Sequence, residues 1–164
     1  MGRCISLILT PCLLLGAAPL QVPFFPQAKN GCGAASVAMV MHYWGSRPEP
    51  GLVYHELYDA EHHGIQLASM KRYLEQAGFR AFTIQGGWAD IQEHTAKGRP
   101  VIVGLKRNRR MPMHFAVVIG AEGDRVWLND PTRKKAAAVK RRDFQKQWEQ
   151  ADRWMLLSTP RAAN

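Results

Sequence analysis

The chain has 164 residues, 46% of them hydrophobic, which is enough to form one domain with a buried core. Lysine and arginine number 22 against 13 aspartates and glutamates, and the formal net charge is +9. A basic excess of this size predicts solubility and attraction to acidic partners, and it carries no information on the fold. The basic stretches lack the interleaved aromatic residues of nucleic-acid-binding modules, which excludes that class of partner.

The first 20 residues predict a secretory signal peptide. Arg3 supplies a short positive start, residues 4–15 are mostly apolar, and small residues follow at 16–18. The apolar stretch is short for a bilayer span, although an uncleaved N-terminal anchor is the alternative. Residues 22–160 are then expected to form one domain that is exported as a periplasmic or secreted protein, or tethered to the membrane by the N-terminal segment.

Cysteine usage predicts a reactive thiol. Removal of the signal peptide takes Cys4 and Cys12 and leaves Cys32 alone. Exported proteins normally pair their cysteines, so a single thiol is expected to have a chemical role. The alternative is an inert cysteine that packs as a small hydrophobic residue. The flanking Gly31 and Gly33 favour the reactive reading, because glycine permits close approach of another backbone or of a substrate.

Residues 27–45, QAKNGCGAASVAMVMHYWG, predict a buried central helix, because the run after the glycines is apolar on all sides. Asn30 is the expected N-cap, which places Cys32 in the first helical turn. There the helix dipole and the unpaired backbone N–H groups favour a thiolate. Gln27 lies close enough upstream to offer a side-chain N–H beside the sulfur. This layout is typical of a nucleophile with half of an oxyanion hole.

Periodicity predicts the remaining elements. Helices are expected at 52–60, 67–77, 88–97 and 141–150, and strands at 79–84, 100–105, 114–120, 126–130 and 154–158. Phe144 and Trp148 lie one helical turn apart and are expected to be core anchors. His62 and His63 are expected in a surface turn, because no partner lies at metal-ligand spacing around them. The basic loop 106–112 is either a solvated loop or a rim that attracts acidic ligands or surfaces.

The strands at 114–120 and 126–130 are joined by a short turn and should form an antiparallel hairpin. Pairing counted back from the turn places His114 opposite about residues 130–132, beside Asp130. Whether the two side chains share a face depends on the register, because a slip of one residue would separate them. Asn129 competes with Asp130 but is expected to point to the other face.

These residues have the chemistry of thiol-based nucleophilic catalysis. Such a mechanism needs a cysteine that attacks, a histidine that shuttles the proton and a carboxylate or amide that orients the imidazole. The order Cys32, His114, Asp130, with the cysteine at a helix start and the other two on later strands, is the papain-like order. The sequence therefore predicts these three residues as a catalytic set.

The segments VPFFPQAKNGCGAASVAMVMHYWG, MHFAVVIGAEGDRVWLNDP and RRDFQKQW resemble the bacteriocin-processing cysteine peptidases, papain-like enzymes that cut leader peptides after a double glycine. The resemblance covers most of residues 22–160. It implies Cys32 as nucleophile, His114 as general base and acid, and Asp130 as the orienting residue. It also implies that Gln27 and the backbone N–H of Cys32 form the oxyanion hole. Transporter-linked members work inside the cell, whereas this chain resembles a free-standing, exported relative.

The expected molecule is an α+β papain-like domain, with a central helix that carries the cysteine packed on an antiparallel sheet that carries the histidine and the aspartate. The expected activity is hydrolysis of a peptide bond in a peptide or protein substrate through a thioester, by a monomer without metal or organic cofactor. Two alternatives stay open: an acyltransferase on the same scaffold, and a non-catalytic peptide-binding module. Association with acidic surfaces through the basic loops 106–110 and 133–142 is compatible with each.

Overall fold

The computed structural model describes residues 18–133 and 135–162. Nearly all of the predicted signal peptide, residues 1–20, lies outside these ranges, so cleavage or anchoring stays a prediction. Within the two described ranges, every helix is too short or too polar to cross a bilayer.

Five helices and eight strands form the described part of the chain. The helices are α1 Cys32–Tyr43, α2 Pro50–Leu57, α3 Leu67–Gln76, α4 Trp88–Ala96 and α5 Arg141–Glu149. The strands are β1 Tyr58–Asp59, β2 Gly64–Ile65, β3 Phe79–Gln85, β4 Val101–Leu105, β5 His114–Glu122, β6 Arg125–Asn129, β7 Ala137–Lys140 and β8 Trp154–Pro160. Each predicted helix and strand is present. The short strands β1, β2 and β7 were not predicted, because two to four residues are too few to show a period.

Strands β3 to β8 form one antiparallel sheet in the order β3-β8-β4-β5-β6-β7, and β1 and β2 form a separate two-stranded ribbon. Strand β8 lies between β3 and β4, next to the edge strand β3. Helices lie on both faces of the sheet, which confirms the predicted α+β class.

Helix α1 is buried on every side, as its uniformly apolar sequence predicts. Residues 33–41 are all buried, and the helix packs between the sheet and helices α2 and α3. The predicted N-cap was wrong. Gly31 is the N-cap, and Asn30 adopts a left-handed conformation with φ 56° one residue earlier. Asn tolerates this conformation better than most residues, which is why its place before a helix can be mistaken for a cap.

The other face of the sheet is covered by α4 and α5. Phe144 and Trp148 of α5 are each 1% exposed, and their rings lie 5.4 Å apart. They pack with apolar side chains of the central strands, including Val103 and Val118. The predicted role of the two aromatic residues as core anchors is confirmed.

The β5–β6 hairpin contains an irregularity near its centre. Gly120 pairs with Trp127, whereas Val118 pairs with Leu128, so Ile119 is an extra residue on β5. An extra residue of this kind is a β-bulge. It shifts the pairing by one residue, so side chains beyond the bulge that would lie on the same face of the two strands now lie on opposite faces. The bulge therefore decides which residues of β5 and β6 share a face at the end of the hairpin.

The segment before α1 is held against this hairpin. The Leu20 N–H donates to the Ile119 carbonyl at 2.7 Å, and the Gln27 N–H donates to the Pro131 carbonyl at 3.2 Å. Between them, the fully buried Asn129 donates through Nδ2 to the Val22 carbonyl at 3.1 Å. These bonds fix the approach of the chain to the start of α1.

Candidate active site

Cys32 is the first residue of α1, a half-buried free thiol at the N-terminal end of a buried helix. Its backbone N–H belongs to the first turn, where N–H groups have no acceptor within the helix. No side chain caps this end of α1 in the described part of the chain. The first-turn N–H groups and the positive end of the helix dipole are therefore directed at the region around the sulfur.

The glycines that flank the cysteine serve packing within the chain. A Cβ on Gly31 would lie 2.8 Å from the Tyr54 ring, and a Cβ on Gly33 would lie 2.9 Å from Ile65. The sequence predicted close approach of another backbone or of a substrate, whereas the nearest groups are side chains of this protein. Ile65 belongs to β2, so the short ribbon is pressed against the helix beside the thiol.

His114 and Asp130 form a hydrogen-bonded pair at the end of the hairpin. The distance from His114 Nε2 to Asp130 Oδ1 is 2.8 Å, and their side chains are 29% and 9% exposed. Thr132 donates to the same carboxylate oxygen from its backbone N–H at 3.0 Å and from its hydroxyl at 2.7 Å. Arg133 approaches the other oxygen, with Nε 3.4 Å from Oδ2. The carboxylate is thus held on both oxygens, and it in turn holds the imidazole.

The charged form of His114 is stabilised by its two partners. Burial acts against the imidazolium, but the hydrogen bond to Asp130, the hydrogen bond to Cys32 and the negative charges of both groups outweigh it. The pKa of His114 rises from 6.5 to about 9. Cys32 and His114 also line the same cavity, so the thiol and the imidazole face one cleft. Because Nε2 faces Asp130, Nδ1 is the ring nitrogen left for the thiol.

Asp130 stays ionised over the whole physiological range. Burial raises its pKa, but the hydrogen bonds from His114 and from both donors of Thr132, with the charge of His114, prevail and lower it from 3.8 to about 2. As a carboxylate, Asp130 accepts the imidazole N–H and also stabilises the positive charge of the ring.

Gln27 lies in the same cleft. It lines a cavity of about 610 Å³ together with Cys32 and His114. Its backbone is fixed by the bond to Pro131, and its side-chain Oε1 is buried without a hydrogen-bond partner in the described part of the protein. The structure therefore brings together all four residues that the sequence singled out.

Asn129 does not join this group. Its Nδ2 donates to Val22, and its Oδ1 accepts the Ala136 N–H at 2.9 Å. Both ends of its amide are occupied by backbone groups on the side away from the histidine. The expectation that it points to the other face is confirmed, and its contacts are those of a structural clamp.

Sequence reasoning missed the second wall of the cleft. His62 and His63, placed in a surface turn, also line the cavity that contains the thiol. His62 Nδ1 lies 2.7 Å from Asp59 Oδ2, and this pair braces the turn that joins β1 to β2. The one available signal was the pair of histidines itself. Within residues 18–133 and 135–162, no three His, Cys, Asp or Glu side chains are grouped so that they could hold a metal ion.

A second cavity, of about 280 Å³, adjoins the cleft at the imidazole. Pro112 and His114 line both cavities, and Asp130 lines only the second one. Two arginines from different basic segments, Arg107 and Arg133, also line it. The sequence offered these segments only as solvated loops or as a rim that attracts acidic ligands.

The comparisons with known proteins agree with this geometry. Residues 19–154 match the family described as "Peptidase_C39 like family". The chain is 26% identical over 124 residues to LagD of Lactococcus lactis subsp. lactis, a lactococcin-G-processing and transport ATP-binding protein. The match takes 76% of this chain and 17% of that protein, so the chain spans only a small part of this relative.

Two solved structures share the fold. The peptidase domain of Streptococcus ComA, a bi-functional ABC transporter involved in quorum sensing, superposes with a TM-score of 0.69 at 20% identity, over 84% of this chain and 97% of that one. A double glycine motif protease from an AMS/PCAT transporter, in complex with the leader peptide, gives 0.71 at 21% identity, over 90% and 96%. These likenesses confirm the papain-like fold and the predicted resemblance to double-glycine leader peptidases. With most of its length matched, the chain belongs to the peptidase C39-like family.

Proposed function

We propose that this protein is a cysteine peptidase that hydrolyses a peptide bond through a thioester on Cys32. The observation that carries the proposal is the 2.8 Å bond between His114 Nε2 and Asp130 Oδ1, beside a thiol at a helix N-terminus. It supports the proposal because it leaves Nδ1 for the thiol and fixes the plane of the ring. A histidine with a merely structural role would not need a free nitrogen directed at the sole described cysteine.

Four residues have distinct roles in the proposed reaction. The Cys32 thiolate attacks the carbonyl carbon, and the negative charge that develops on the oxygen is stabilised by the Cys32 N–H and the Gln27 side-chain amide. The imidazolium of His114 gives its proton to the leaving amine, and a thioester remains. Water then attacks the thioester while His114 takes one of its protons, and the thiolate leaves as the carboxylic acid product is released. Asp130 keeps the ring oriented throughout.

The proposed substrate is a peptide with two glycines before the bond that is cut. Support comes from the relatives, one of which is a double glycine motif protease solved with its leader peptide. The thiol lies at the bottom of a cleft between the β1–β2 turn on one side and residues Pro112–Phe115 on the other, which suits an extended, unbranched chain.

The test is direct digestion. The protein without residues 1–20 is incubated with a pool of synthetic peptides that contain Gly-Gly at varied positions, and the products are identified by mass spectrometry. We expect cleavage after the second glycine, and loss of cleavage in Cys32→Ala and His114→Ala. Absence of cleavage in all peptides would contradict the proposal. Binding without cleavage would favour the peptide-binding module, and amide products formed in the presence of added amines would favour the acyltransferase.

We also propose that the protein is exported, on the basis of the charged start and the apolar stretch in residues 1–20. Expression of the full chain, followed by cell fractionation and determination of the N-terminus, tests this proposal. A new N-terminus near residue 20 in the exported fraction is expected. Full-length protein in the cytoplasm would refute export, and full-length protein in the membrane fraction would indicate the anchor.

A further inference from the structure

We infer that the second cavity binds the residue that follows the cut bond, and that Arg107 and Arg133 select an acidic side chain there. The inference rests on the proposed function and extends it, because it concerns the part of the substrate that leaves as the amine product. It assigns a role to two basic segments that the catalytic set does not use.

The chemistry of the leaving group indicates where the residue after the cut bond lies. The leaving nitrogen must lie within hydrogen-bond reach of the His114 imidazole in order to receive its proton. The chain that begins at this nitrogen therefore starts beside the imidazole and continues away from Cys32. Pro112 and His114 line both cavities, and Cys32 lines only the first. The cavity beyond the imidazole adjoins the cleft at these shared residues and offers a recess for the first side chain of the leaving product.

The residues that line this second cavity indicate the charge of the side chain that it binds. Arg107 comes from the loop after β4, and Arg133 comes from the segment after β6. Asp130 is the one carboxylate among the lining residues that the structure describes. It is bonded to His114 and Thr132 through Oδ1, and its Oδ2 lies 3.4 Å from Arg133 Nε. With the imidazolium, the cavity therefore holds three positive charges against one negative charge, and this excess favours an anionic ligand.

The apolar floor and the volume of the second cavity limit which anionic side chain can fit. The floor of the cavity is apolar and includes Leu105, Leu128, Val139 and Phe144. Its volume of about 280 Å³ is sufficient for one side chain rather than for a folded segment. A carboxylate at the end of a short hydrocarbon stem matches both features, because the stem contacts the floor and the carboxylate reaches the guanidinium groups. Glutamate is the best match among the ordinary residues.

The experiment compares two peptides that differ in one residue, with Gly-Gly followed by Glu or by Gln. The kcat/KM ratio of the two is measured for the wild type, for Arg107→Gln and for Arg133→Gln. Because Arg133 also contacts Asp130, its variant can change the overall rate, whereas the ratio isolates recognition of the carboxylate. The matched control is Arg109→Gln, which removes the same charge from the same loop outside the cavity.

We expect the wild type to prefer Glu by about five- to tenfold at low ionic strength, and the preference to weaken as salt is added. Each cavity variant should lower the ratio, the double variant should bring it close to one, and Arg109→Gln should keep the wild-type ratio. A wild-type ratio near one with both peptides cleaved would overturn the inference and leave the proposed function intact. A preference that survives in the double variant would overturn it as well.

A measurement of peptide binding tests this inference independently of the proposed peptidase activity. Fluorescence anisotropy measures the affinity of the same two labelled peptides for the Cys32→Ala protein, in which no turnover is required. Tighter binding of the Glu peptide that weakens when Arg107→Gln is added and is lost when Arg107→Gln and Arg133→Gln are combined supports the inference, even if the wild type cuts neither peptide. Equal binding of the two peptides, or binding of neither, contradicts it.

Discussion

The imidazole of His114 offers the sharpest test of the site. With a pKa of about 9 in place of 6.5, it should carry a positive charge at pH values where an ordinary histidine is neutral. At about 1.4 kcal/mol per pKa unit, this rise corresponds to about 3 kcal/mol in favour of the imidazolium. At pH 8, about nine-tenths of the molecules should hold the charged ring, against about 3% for an unperturbed histidine.

Two substitutions remove, one at a time, the interactions with Cys32 and with Asp130 that raise the pKa of His114. Cys32→Ala eliminates the hydrogen bond and the charge of the thiolate, and Asp130→Asn eliminates the charge of the carboxylate and weakens its bond to Nε2. Each variant should lower the pKa of His114. The double variant should bring it below 6.5, because burial then acts without opposition.

The assay is a pH titration of the histidine ring nitrogens by NMR, in the protein without residues 1–20. His114→Gln assigns the signal among the six histidines of the chain. His55, an exposed residue of α2 that does not line the cleft, serves as an internal reference in every variant. A wild-type titration near 6.5, or one that neither substitution shifts, would refute the argument that thiolate, imidazole and carboxylate form one charged unit.

Four further outcomes follow from the same contacts. Alkylation of Cys32 at pH 6 should slow several-fold in His114→Ala, because the imidazolium that stabilises the thiolate is lost. Gln27→Ala should lower kcat by about 10²–10³ with little change in KM, as expected when one oxyanion donor is removed. Asn129→Ala should lower the free energy of unfolding by about 1–3 kcal/mol, because the buried Val22 carbonyl loses its donor. The stabilisation of the folded state by charged His114 should be complete below pH 6.5 and be lost as the pH rises through about 9. The stabilisation by ionised Asp130 should be present above pH 3.8 and be lost as the pH falls through about 2.

Each of these outcomes has a control. Gln21→Ala changes an exposed glutamine that bonds only to Pro19, and it should leave kcat unchanged. Asn108→Ala changes an exposed loop residue and should cost less than Asn129→Ala in urea unfolding. Urea midpoints measured from pH 2 to pH 10 should lose their high-pH decline in His114→Gln. Alkylation that is unaffected by His114→Ala, or an unchanged kcat in Gln27→Ala, would contradict the assigned roles.

Patterns of apolar residues predicted the helices and strands of the fold, because the interactions that form these elements are largely local. The residues of the candidate site were chosen from their chemistry and chain order, and the structure places them together. The uniform burial of α1 follows from its composition, and the position of Cys32 in the first turn follows from the two glycines and the apolar run. The cap was predicted incorrectly because Asn30 is suited both to capping and to a left-handed turn, and the choice depends on the packing of Gly31 against Tyr54. The histidines of the β1–β2 turn entered the cleft wall through tertiary contacts that no local pattern records.

The pairing of His114 with Asp130 could not be predicted from local sequence patterns alone, because it depends on the register of the hairpin. The pairs nearest the turn, such as Glu122 with Arg125, would place Asp130 opposite Val117 if the register continued without interruption. Asp130 would then share a face with Val117, and the histidine three residues away would point to the other face. The bulge at Ile119 shifts the register by one, so that Asn129 lies opposite Val117 and Asp130 follows opposite Ala116, on the face of His114. The same shift turns Asn129 toward the segment that carries Gln27. One inserted residue therefore arranges both the proposed catalytic face and the clamp of the segment that carries Gln27.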